Sequence, residues 1–230
     1  LIFSNLHGDT PLSMQKVYLA VSAGGHSINI DTVMTVTFEE SRSVTIPAGG
    51  EVISDALDYQ LPALTDMTIT ILFGDVPSTI SGHVGSRTTS YYQSADAVTA
   101  ASLTSPASSV RWYVISGIDV YREDDARTVV AYGDSITDGY GTTTDAQNRW
   151  TDHLATRLQT DPKTRDVGVL NQGIGATLVT GSGLARRRRD IFDQTDVGYL
   201  IVLYGVNDIL FANRTSSDII SAYQQIITEA

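Results

Sequence analysis

Three short polar runs carry residue types that can do chemistry: Gly133-Asp134-Ser135-Ile136-Thr137-Asp138-Gly139, Asn171-Gln172-Gly173-Ile174-Gly175-Ala176 and Gly205-Val206-Asn207-Asp208. Taken singly each is weak, because Gly, Asp, Asn and Ser populate turns freely. Each, however, closes an apolar run, and the first reads as strand, sharp turn, nucleophile. A serine at that turn projects its hydroxyl above the carboxyl edge of a parallel sheet, where open α/β folds keep their ligand sites. Three such tips at one edge define one site, and Ser135 is its candidate nucleophile.

The elements needed to position these tips can be read from periodicity. Thr128–Tyr132 is a strand; Arg149–Leu158 has Trp150, Leu154 and Leu158 on one helical face; Val167–Leu170 is a second buried run. A polar, helix-length segment then leads to Val197–Tyr204, an almost wholly apolar strand of the kind buried on both faces. Ser216 or Ser217 caps a last helix with Ile219, Ile220, Tyr223, Ile226 and Ile227 as its apolar stripe. Alternating strand and helix predicts a parallel α/β module over 126–230.

The N-terminal part follows another grammar. Val17–Val21, Val33–Phe38, Ser43–Ile46 and Met67–Phe73 are short β-rich runs separated by turn residues, which predicts an antiparallel sandwich or jelly roll over 1–125. Residues 78–109, rich in Ser, Thr and Ala, read as long loops, and Trp112–Ile115 and Ile118–Tyr121 as the module's last strands. The wholly polar stretch Arg122–Arg127 is the expected domain boundary.

Composition narrows the partners. At 230 residues, 42% hydrophobic and 18% charged, the chain can build a sizeable core. A formal net charge of -11 would repel nucleic acid and anionic lipid. No apolar run approaches the roughly 18 residues of a spanning helix. With no cysteine, neither a disulfide nor a thiolate metal site can form. Asn213-Arg214-Thr215 is an N-glycosylation acceptor wherever the chain passes through a eukaryotic secretory route.

In their order and spacing the three tips resemble the SGNH (GDSL-type) hydrolase superfamily, over Thr128 to about Asp208. The resemblance implies that Ser135 attacks an ester carbonyl and that its backbone N–H donates to the oxyanion. It implies that the Asn207 side-chain amide donates to the same oxygen. The family's remaining donor is a glycine N–H in the second block, and the matching position here is Ala176, where a side chain raises the cost of positive φ. No cofactor is implied. The family's base and orienting acid come from a C-terminal Asp-x-x-His motif, which has no counterpart after Asp208. His7, His26, His83 and His153 all lie elsewhere in the sequence. The expectation is therefore a C-terminal segment of the same protein, outside this chain, that supplies Asp-x-x-His. With Ser4–Gly8 and Arg87–Tyr91, the N-terminal module resembles the secreted two-domain branch. That likeness implies export and an ester substrate such as acetylated polysaccharide.

Other readings are blander. Asp134 and Asp138 flank Ser135 without the clustering a metal needs, Arg186–Arg189 reads as a solvated helix face, and Tyr91-Tyr92 near Arg87 is either a sugar-stacking lip or loop filling. No phosphate-binding loop is present. The function that emerges is a serine ester hydrolase; the alternative is a noncatalytic carbohydrate-binding protein whose α/β part is a disabled relic.

Overall fold

A computed structural model describes residues 1–122 and 125–230 and divides into two compact units. Glu123 and Asp124, within the stretch where the sequence places the boundary, lie outside the described residues.

The first unit, Leu1–Val84 with Thr88–Val120, is antiparallel β. Its longest strand, Leu12–Gly24, pairs with Met67–Phe73, Met34–Val36, Val44–Ile46 and Ser27–Ile28. The strand Ile2–Ser4 is flanked by Ile115–Gly117 and Glu51–Ile53 in a second sheet. Phe3 from this sheet shares a core with Leu12, Met14, Val17, Leu19, Val36 and Ile46 of the first. A register shift between Met14 and Lys16 changes which parity of residue points inward. It lets Leu12 and Met14 before it, and Val17 and Leu19 after it, all face the core.

Two expectations for this unit need correction. Residues 78–109 are not all loop: Thr89–Tyr92 pairs with Ala107–Val110, and Gly82–His83 pairs with Trp112–Tyr113. These short polar strands lack the apolar alternation that marks a strand in sequence. Conversely, Ile118–Tyr121 forms no strand, and Tyr121 is 88% exposed.

The second unit comprises Gly85–Arg87 and Tyr121–Ala230. Its sheet is parallel, with Arg127–Gly133 between Val167–Gly173 and Val197–Leu203. Gly133 lies opposite Gly173 on one side and Leu203 on the other. That register brings the three polar tips to one edge. Val130, Tyr132, Val179, Ile191, Ala222 and Ile226 form the core. Trp150–Thr160 is helical as the periodicity requires. The polar segment before the third strand is one helical turn, Leu184–Arg187, between two π-turns.

The final helix, Ser216–Glu229, is capped by Thr215 rather than by Ser216 or Ser217. Its hydroxyl accepts from Asp218 N–H at 3.2 Å while the Asp218 carboxylate accepts from Thr215 N–H at 2.9 Å, a reciprocal capping box. The third strand also departs from expectation. Leu200 and Val202 pack inward, but Tyr199, Ile201 and Leu203 are 58%, 38% and 42% exposed. The strand is apolar on both faces, yet only one face is covered. Ile220 and Ile227 of the last helix are exposed as well.

Candidate active site

Ser135 begins a single helical turn, Ser135–Asp138, directly after the central strand. Asp134 caps it, its carboxylate accepting from Ile136 N–H at 3.0 Å. Burial pushes the Asp134 carboxyl above its ordinary range; the Ile136 N–H opposes this, and the nearby Asp208 charge adds to it. The turn closes through the Ser135 carbonyl, which accepts from Gly139 N–H at 3.0 Å and Tyr140 N–H at 2.7 Å. Ser135 itself remains half-buried. Glycine at 133 is obligatory for this packing, because a Cβ there would fall 2.2 Å from Thr137 Oγ1 and 2.7 Å from the Leu203 carbonyl.

The second tip is tied to the first. Asn171 donates to the Thr137 carbonyl at 2.8 Å and to Thr151 Oγ1 at 3.0 Å, and accepts from Gly173 N–H at 2.9 Å. Gly175 N–H donates to Asp138 Oδ2 at 2.9 Å. A Cβ on Gly175 would lie 3.9 Å from Ser135 Cβ, so this backbone borders Ser135. Next to it, Ala176 sits at φ 60°, in the left-handed region that glycine occupies freely. The strain sets an expectation: Ala176→Gly should raise stability by up to about 1 kcal/mol in urea unfolding, less the extra freedom glycine gives the unfolded chain.

The third tip carries Asn207, 6% exposed, and Asp208, fully buried. Asn207 Nδ2 spends one hydrogen on the Thr177 carbonyl at 2.9 Å, which fixes the amide and leaves its other N–H to donate elsewhere. The Asp208 carboxylate accepts from Val179 N–H at 2.8 Å, Thr180 N–H at 3.0 Å and the Thr180 hydroxyl at 2.7 Å. It is a structural staple between the second and third tips. Ala176 and Asn207 both line a cleft of about 250 Å³ whose other walls are Leu178, Phe211 and Ala212. This cleft is apolar apart from the asparagine amide.

Arg186 is the site-supporting residue that sequence reasoning missed. Reading Arg186–Arg189 as one solvated face fits Arg188, whose side chain is 79% exposed, but the Arg186 side chain is only 9% exposed. It pairs with Asp190 at 2.5 Å, donates to the Gly133 carbonyl at 2.9 Å and to Tyr204 Oη at 2.5 Å, and stacks 4.3 Å over the Tyr132 ring. It thus braces the end of the strand Arg127–Gly133 against Tyr204, the residue before Gly205. Burial also pushes the Tyr132 and Tyr204 hydroxyls above their ordinary range. Nothing local singles out Arg186 among four adjacent arginines; only the tertiary fold decides which one turns inward.

His153, the one histidine of this unit, is exposed on the helix Trp150–Thr160. Among the described residues no cluster of His, Asp and Glu could hold a metal ion, and no helix is long and apolar enough to cross a membrane. Asn213 is exposed on the loop after Val206–Leu210.

Residues 131–230, spanning all three tips, match the model of the GDSL-like Lipase/Acylhydrolase family. This segment is similar to that family. No curated protein matches the chain. Among solved structures, this chain is similar to AlinE4, an SGNH-hydrolase family esterase, at 26% identity and TM-score 0.40, covering 47% of this chain and 55% of that one. A two-domain esterase (CEX) active on acetylated mannans matches at 21% identity and TM-score 0.37, over 45% of this chain and 26% of its own. A family two carbohydrate esterase from Clostridium thermocellum, solved with cellohexaose, matches 99% of this chain and 64% of its own at 10% identity and TM-score 0.37. The chain spans about half the length of AlinE4.

Proposed function

We propose that this chain holds the nucleophile and oxyanion half of a serine carboxylic-ester hydrolase. The observation that carries the reading is the register of the GDSL-like sheet, which sets Ser135, the 175–176 backbone and Asn207 at one strand edge. In this reading Ser135 Oγ attacks the acyl carbon. The Asn207 amide, the Ser135 N–H and the Ala176 N–H hold the resulting oxyanion. The acyl group occupies the apolar cleft of Ala176, Leu178, Phe211 and Ala212. Collapse of the tetrahedral adduct expels the alcohol, leaving an acyl-Ser135 that water hydrolyses.

A serine hydroxyl needs a base to take its proton. We propose that the base and its acid come from polypeptide outside this sequence that carries Asp-x-x-His. Two observations support this: His153 is exposed on its helix, and the third strand presents Tyr199, Ile201 and Leu203 uncovered, where further structure can pack. The first unit, whose two antiparallel sheets share a core around Phe3, is read as the sandwich module of an exported enzyme acting on acetylated polysaccharide, with exposed Asn213 as a glycan acceptor on a eukaryotic route.

The test is turnover of p-nitrophenyl acetate by the full-length protein. Measurable hydrolysis that Ser135→Ala abolishes is expected; hydrolysis unchanged in Ser135→Ala, or none at all beside retained polysaccharide binding, overturns the reading in favour of a binding protein.

A further inference from the structure

The tripeptide Gly85-Ser86-Arg87 interrupts the first unit in sequence but belongs to the second in space. Three contacts fix it there. Gly85 abuts Asp138 so closely that a Cβ would fall 2.1 Å from Asp138 Oδ2. The guanidinium of Arg149, itself 8% exposed, donates to the Ser86 carbonyl, and Asp145 N–H donates to the Arg87 carbonyl at 2.9 Å. Asp138 is also the carboxylate that holds Gly175 beside Ser135, so the tripeptide abuts the last residue of the turn Ser135–Asp138.

What this anchoring presents is Arg87. Its backbone sits at φ 53°, a conformation that costs a non-glycine residue stability and persists only where surroundings impose it. Its guanidinium lies 5.6 Å from the ring centroid of Tyr140, which follows the nucleophile turn and is 73% exposed. Arg87 Nε is buried without a hydrogen-bond partner. Most buried donors are satisfied. A clamped, strained loop that ends in a planar donor lying over one face of an exposed aromatic ring has the composition of a site for a ring bearing hydroxyl groups. Such a ring stacks its C–H face on tyrosine and accepts hydrogen bonds from the guanidinium fork. The apolar cleft at Ala176, Leu178 and Phe211 shares no residue with this pair.

We propose that Arg87 and Tyr140 form the subsite for the alcohol part of the ester and that this part is a neutral sugar ring. The proposal rests on the ester-hydrolase reading and deepens it. The aromatic partner of Arg87 is Tyr140. Arg87 and Tyr140 are specificity-determining and take no part in bond making.

The experiment compares the full-length enzyme with its Arg87→Met, Arg87→Lys and Tyr140→Leu variants on a mono-O-acetylated methyl glycoside and on p-nitrophenyl acetate. For Arg87→Met the ratio of kcat/KM between the glycoside and the aryl ester should fall at least tenfold, chiefly through the KM for the glycoside. Arg87→Lys should fall between it and wild type, because lysine keeps the charge without the fork. Tyr140→Leu, at an exposed position, should lower the same ratio and carries the test if Arg87→Met fails to fold. Equal losses on both substrates overturn the subsite. So does a wild type that cleaves p-nitrophenyl acetate but not the glycoside, which leaves the ester-hydrolase reading standing. Turnover of neither substrate overturns both.

Discussion

Replacing Arg186 by methionine is expected to destabilise the second unit by about 3–5 kcal/mol, because it leaves Asp190 a buried carboxylate without its main partner. Asp190 is 3% exposed, and its remaining cation, Arg189, has a side chain that is 49% exposed. The Gly133 carbonyl and Tyr204 hydroxyl lose a donor at the same time. Urea unfolding followed by tryptophan fluorescence, with Trp150 as the reporter within this unit, measures the loss. Removing both charges in Arg186→Met/Asp190→Leu should recover much of it, since the cost arises from an unpaired charge. A single variant within about 0.5 kcal/mol of wild type would show that the Arg186–Asp190 pair adds nothing net to stability. The account gives Arg186 a consequence for activity as well, since the residue braces Gly133 two positions before Ser135 and Tyr204 three before Asn207.

Replacing Asn207 by alanine in the full-length enzyme should lower kcat by about 10²–10³-fold with little change in KM, the signature of a donor that acts on charge developing in the transition state. The ground for this is the hydrogen bond from Asn207 Nδ2 to the Thr177 carbonyl, which orients the amide before any substrate arrives. Steady-state kinetics on p-nitrophenyl acetate separate the outcomes. A rise in KM alone would make Asn207 a substrate-binding group; no change in either constant would remove it from the reaction.

What the sequence conveys about this site follows from how local each feature is. The three tips are legible because glycine and small polar residues directly after an apolar run can hardly be anything but a strand end. The parallel order then follows from helix-length segments between strands. Ala176 stands out as a position where a side chain strains the backbone, and its φ of 60° agrees with that expectation.

The remainder depends on long-range arrangement. Four successive arginines look alike in one dimension, yet one is buried against Tyr132 and Tyr204. The apolar strand Val197–Leu203 reads as covered on both faces because hydrophobicity records what a residue tolerates, whereas coverage depends on what packs there. The register shift between Met14 and Lys16 cannot be seen in an alternation count that assumes one parity throughout. Gly85-Ser86-Arg87 sits in a segment read as loop. Its attachment to Arg149, Asp145 and Asp138 joins residues more than 50 positions apart.

The central claim is that Ser135 is the nucleophile, and covalent labelling tests it most directly. The full-length protein is treated with a fluorophosphonate, digested and mapped by mass spectrometry. The account predicts one adduct, on the peptide containing Ser135, formed in step with loss of esterase activity and absent from Ser135→Ala. An adduct on another serine, or inactivation that persists in Ser135→Ala, would contradict it.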